Sequence, residues 1–94
     1  MIGRKDDMGK LRWDLVDYDQ LEKMVKVLTF GANKYGDNNW RDVQNPINRY
    51  FAAALRHLIA YRKGEKIDKE SGIEHLAHAF ANLMFLLYLE ETKK

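Results

Sequence analysis

The chain has 94 residues, of which 46% are hydrophobic and 32% charged, with a formal net charge of +2. That length bounds it to one domain with a small core, and the composition is globular rather than disordered. The charge is too small to argue for a nucleic-acid polymer as partner. The absence of cysteine excludes disulfides and thiolate metal sites, and fits a cytoplasmic setting. No charged-then-apolar leader is present, and the longest apolar run, Leu83 to Leu89, is too short to span a bilayer, so no membrane partner is expected.

In chain order, residues 1–16 read as an irregular arm, anchored by Trp13 and Leu15, and residues 17–94 as a helical core. Asp17 and Asp19 are candidate caps for a first helix over about 19–34, with Gln20 at the capping-box distance from Asp17 and Gly36 as the stop. Leu21, Met24, Val25, Leu28 and Ala32 recur at helical spacing. Residues 36–45 read as a loop. Asn45-Pro46 starts a second helix, because proline suits the first helical position. Ile47, Phe51, Ala54, Leu55, Leu58 and Tyr61 mark its expected buried face, and Gly64 ends it. Ser71 and Glu74 form an S-x-x-E capping box for a third helix reaching about Glu91. Its expected core stripe is Ile73, Leu76, Ala77, Phe80, Leu83, Met84 and Leu87, while Phe85, Leu86 and Leu89 make the far side apolar as well. A helix apolar nearly all round is buried on more than one side. The expected fold class is therefore all-α: a three-helix unit with an irregular N-terminal arm, assembling into an oligomeric helical bundle, most simply a two-fold dimer.

All three histidines lie between positions 57 and 78, on segments that are otherwise apolar helix. His75, His78 and Asn82 are spaced i, i+3, i+7 and form one polar ridge. Such a ridge is either a metal or phosphate site or a packing network of mutually satisfied imidazoles and amide. On the second helix, Arg49, Ala52, Ala53, Arg56, Ala60 and Lys63 share a face. Small residues flanked by arginines can cradle a phosphate, although for Arg49 and Lys63 a solvated basic face is the simpler reading. Glu70 and Asp68 are acids near the histidines that could hold a divalent cation or position water. Glu74 is expected to serve the cap, so Ser71→Ala should cost a cap and nothing at a ligand. In the loop, Lys34, Tyr35, Asn39, Trp40 and Arg41 suit a nucleobase, with the aromatics stacking on it and the amide reading its edge. The competing reading has Trp40 plugging the core. Lys10 and Arg12 on the arm are placed to close over the same ligand.

Taken together, Gly9-Lys10, Trp13-Asp14-Leu15, residues 31–36, Asn39-Trp40-Arg41, residues 54–58, Gly64-Glu65, Asp68, Glu70-Ser71-Gly72, His75-Leu76, His78 and Asn82 resemble a phage family. That family is the dATP/dGTP diphosphohydrolase N-terminal domain, and the resemblance runs from about residue 5 to residue 90. It implies a helical, purine-nucleotide-handling protein at work in an infected bacterial cell, distantly similar to the MazG-type all-alpha pyrophosphohydrolases. Those enzymes bind magnesium through E-x-x-E on one helix and E-x-x-D on a later one. Here Arg56-His57 stands where the first acidic pair should lie, and His75, His78 and Asn82 where the second should lie. Glu22 has Val25, not an acid, three residues on.

Three readings follow. As a binding protein, the chain would sequester a purine nucleotide, such as a cyclic dinucleotide immune signal of the host, at a subunit interface. It would need no cofactor and no metal, and would use Lys10, Arg12, Lys34, Tyr35, Asn39, Trp40, Arg56, His57, His75, His78 and Asn82. As an enzyme, it would release pyrophosphate from dATP or dGTP with Mg or Mn held by His57, Glu70, His75 and His78. The mark of the enzyme would be a converging carboxylate–histidine cluster. As an adaptor, the ridge would be core packing only. The missing acidic pairs tilt the expectation towards sequestration without efficient hydrolysis.

Overall fold

The computed structural model describes residues 8–92, so the Lys5-Asp6-Asp7 part of the expected arm lies outside the described residues. The described chain is all-helical: α1 (Tyr18–Tyr35), α2 (Pro46–Arg62) and α3 (His75–Thr92), with single 3-10 turns at Trp13–Leu15 and Asn39–Arg41. Among the described residues there is no strand, only an isolated bridge between Ile67 and Glu74.

The helix ends follow from local chemistry. Asp17 caps α1, its Oδ1 accepting from the amides of Asp19 (3.1 Å) and Gln20 (3.3 Å). Gly36 ends α1 at φ 99°, a conformation that a side chain would strain. Pro46 opens α2 after Asn45, which sits in the left-handed region without a side-chain cap.

α3 begins three residues later than the Ser71 box implies. The amide of His75 donates to Lys66 O (2.9 Å), that of Asp68 to Ile73 O (2.9 Å), and that of Gly72 to Asp68 O (2.8 Å). These bonds hold residues 67–74 as a tight loop, so Ser71 does not cap the helix. Its hydroxyl is committed within that loop instead, and Glu74 pairs with Lys23 of α1 at 3.4 Å.

α3 packs chiefly against α2 and secondarily against α1. Met24 and Val27 of α1 meet Ala77 and Ala81 of α3, with Leu21, Leu28, Ile73, Met84 and Phe85 around them. Ala54, Ala79 and Ala81 are buried, and such small residues let helices approach closely. A second cluster closes the other end. Trp40 stacks on Phe85 with ring centres 4.5 Å apart and meets the Tyr88 edge at 5.0 Å, while Tyr50 donates to Trp40 O at 2.7 Å.

The faces differ from the sequence expectation. Leu76, Phe80, Leu83 and Leu87 are 44, 44, 52 and 71% exposed, and His75, His78 and Asn82 are buried instead. On α2, Phe51, Leu55, Leu58 and Tyr61 are likewise exposed, and on α1 so is Val25. Only one side of α3 can face α2 within a single chain, and the polar ridge takes it because its groups satisfy one another there. The arm is not anchored either: Trp13 and Leu15 are 70 and 72% exposed.

Candidate metal centre between α2 and α3

Helical geometry puts His75 and His78 one turn apart on α3, facing His57 near the middle of α2. The 67–74 loop swings Asp68 and Ser71 under them. His57 Nδ1 lies 2.8 Å from His75 Nδ1, and the His57 and His78 rings stack at 4.5 Å with planes 9° apart. His75 Nε2 is 3.1 Å from Glu65 Oε2. His78 Nε2 is 2.6 Å from Ser71 Oγ and 3.7 Å from Asp68 Oδ2. Ligand atoms of His57, Asp68 and His75 all fall within 4.8 Å of one another.

Burial and the charges on the two neighbouring imidazoles push His57 down to about 4, with Asp68 opposing. Burial likewise lowers His78, against the pull of Asp68. At neutral pH both rings are therefore neutral, the form that binds a metal. For Asp68, burial acts to raise the pKa, but the Ser71 hydroxyl and amide outweigh it and hold the carboxyl below its ordinary value.

The donor set fits a divalent ion. His57 Nδ1 and His75 Nδ1, 2.8 Å apart, share one N–H···N hydrogen bond, and an ion bound there would take the place of that proton. Glu65 accepts the Nε2 proton of His75, which leaves the Nδ1 lone pair pointing inward, the usual carboxylate–histidine arrangement behind a metal ligand.

The other sequence candidates are placed as follows. Glu70 is paired with Lys34 rather than in the converging set, although its charge still reaches His78. Lys34 also lies over the Tyr35 ring, at 5.2 Å. Trp40 gives one contact to Phe85 and another to Arg41, at 5.1 Å. Arg56, Tyr35, Asn39 and Lys10 are exposed to solvent, and Arg12 pairs with Asp14. Asn82 donates to the His78 carbonyl at 2.9 Å, bracing α3 itself. Asp68, Glu65 and Ser71 contact the histidine cluster although none of them was among the leading candidates read from the sequence. Their signal was a polar loop directly before a histidine-bearing helix.

Nearly the whole chain, residues 2–94, matches the family described as dATP/dGTP diphosphohydrolase, N-terminal. The chain belongs to this family. It is also 38% identical over 89 residues to a protein of Salmonella phage PMBT28 named dATP/dGTP diphosphohydrolase. The match covers 95% of this chain but only 30% of that relative's length. No solved structure matches the chain. Among the described residues no helix is long and apolar enough to cross a membrane.

Proposed function

We propose that the chain is the nucleotide-handling, metal-binding unit of a phage dATP/dGTP diphosphohydrolase. The observation that carries this reading is the convergence of His57, Asp68 and His75. A converging carboxylate–histidine cluster of this kind supports hydrolysis over binding alone. In the reaction, water adds to the α-phosphorus, the bond to the β-phosphate oxygen breaks, and the monophosphate, pyrophosphate and a proton are released. His57, Asp68 and His75 would hold a divalent ion, which would supply positive charge to the triphosphate and acidity to a water. Two imidazoles and one carboxylate suit manganese better than magnesium. Glu65 orients His75, and the exposed Arg56 on α2 is the cation assigned to phosphate.

A second copy completes the assembly in this account. Leu76, Phe80, Leu83 and Leu87 follow the 4-3-4 spacing of a helix-pairing seam.

Sequestration is the second reading, with a purine nucleotide or cyclic dinucleotide held intact. One observation favours it: Glu65, Asp68 and Glu70 each already have a protein partner, so none stands ready as a base. One assay separates the two. The purified protein is incubated with Mn or Mg and with dATP, dGTP and cyclic dinucleotides, and the free nucleotides are quantified before and after heating. New monophosphate and pyrophosphate support hydrolysis. A nucleotide that disappears and returns intact on heating supports sequestration, and no change for any nucleotide removes both readings.

A further inference from the structure

We infer that Ser71 is a positioning residue that presets Asp68 and His78 at the metal centre, through a hydroxyl whose one proton and two lone pairs are all assigned. The inference rests on the metal reading of His57, Asp68 and His75. Ser71 Oγ lies 2.9 Å from Asp68 Oδ2, 2.6 Å from His78 Nε2 and 3.1 Å from the Ile73 amide nitrogen. The Ile73 amide can only donate, and the Asp68 carboxylate can only accept. The hydroxyl proton therefore goes to Asp68, and one lone pair takes the Ile73 N–H. What remains for His78 is the other lone pair, so His78 carries its proton on Nε2.

Two consequences follow for the site. The Ser71 amide also donates to Asp68 Oδ2, at 3.0 Å. Both Ser71 donors thus fall on one carboxylate oxygen and leave Oδ1 unclaimed by Ser71. Meanwhile the bond to Nε2 pins the His78 ring, which lies parallel to His57 and backs that ligand along its face. A single side chain thereby sets the orientation of one ligand directly and of a second through a stacked ring. Removing a hydrogen bond that orients a ligand typically costs 10–100-fold in metal affinity.

The test compares wild type, Ser71→Ala and Ser71→Thr. Long-range proton–nitrogen NMR of the imidazoles, without metal, reads the His78 tautomer, and a Mn(II) titration reads affinity. Wild type should show His78 protonated on Nε2. Ser71→Ala should lose that uniform tautomer and bind Mn(II) 10–100-fold more weakly, while Ser71→Thr keeps both properties. A His78 protonated on Nδ1 in wild type would overturn the inference without any variant. So would a Ser71→Ala protein with the wild-type tautomer and affinity, or a folded Ser71→Thr that behaves as the alanine variant does. If wild type binds no Mn(II), the metal reading fails, and the tautomer comparison still decides the role of Ser71.

Discussion

Acid should destabilise this protein well above the pH at which carboxylates protonate, and His57 is the reason. Its pKa falls from 6.5 to about 4 on folding, because burial and two neighbouring imidazoles penalise the charged ring. Below 6.5 the unfolded chain takes up a proton that the folded chain refuses, so unfolding is favoured as the pH drops. The contribution of His57 is intact above pH 6.5, is lost progressively between 6.5 and 4, and changes no further below that. At 1.36 kcal/mol per tenfold, the full loss is about 3 kcal/mol, and about 2 after allowing for partial solvent access. The lowered pKa of His78 acts in the same direction. Urea unfolding at fixed protein concentration, from pH 7.5 to 4.5, measures the effect. With a slope of about 1–1.5 kcal/mol per molar, the midpoint should drop by roughly 1–2 M. His57→Gln should be less stable at pH 7.5 but show a visibly flatter profile. An unchanged wild-type midpoint down to pH 4.5 would refute this reasoning, as would an NMR titration of His57 centred near 6.5.

Other outcomes follow from single contacts. Asp17→Ala removes two capping bonds from α1 and should cost about 1 kcal/mol in chemical unfolding, with nucleotide binding unchanged. Trp40→Ala should cost about 3 kcal/mol, because it opens the Phe85 and Tyr88 contacts. If nucleotide affinity falls while the melting curve does not, Trp40 is a base platform instead. Replacing both Leu83 and Leu87 with glutamate should weaken self-association at least ~100-fold in sedimentation velocity, since each buried leucine contributes about 1.5–3 kcal/mol. A wild-type chain that is monomeric at micromolar concentration would contradict the seam.

Much of the backbone was legible in the residues themselves. Asp17, Gly36, Pro46 and Gly64 mark ends that the structure keeps, because caps, left-handed glycines and a helix-opening proline are local devices. The facing of α3 was not legible. Periodicity puts Leu76, Phe80, Leu83 and Leu87 inside, yet the imidazoles take that place because His57, Glu65 and Ser71, all distant or outside the helix, pair with them. Spacing within one helix cannot reveal partners supplied by another segment. Ser71 misled for the same reason: its pattern is that of a cap, but Asp68 three residues earlier captures both its amide and its hydroxyl. The clustering of the three histidines was legible, and Asp68 lies with them in place of Glu70, whose charge Lys34 takes.

His57, Asp68 and His75 are proposed to form one metal site per chain. Manganese binding followed by electron paramagnetic resonance, on wild type and on His57→Ala and Asp68→Ala, tests it most directly. Wild type should bind one Mn(II) per chain, and both variants should lose that site with their helical content retained. No saturable binding by wild type, or equal binding by all three proteins, would contradict it.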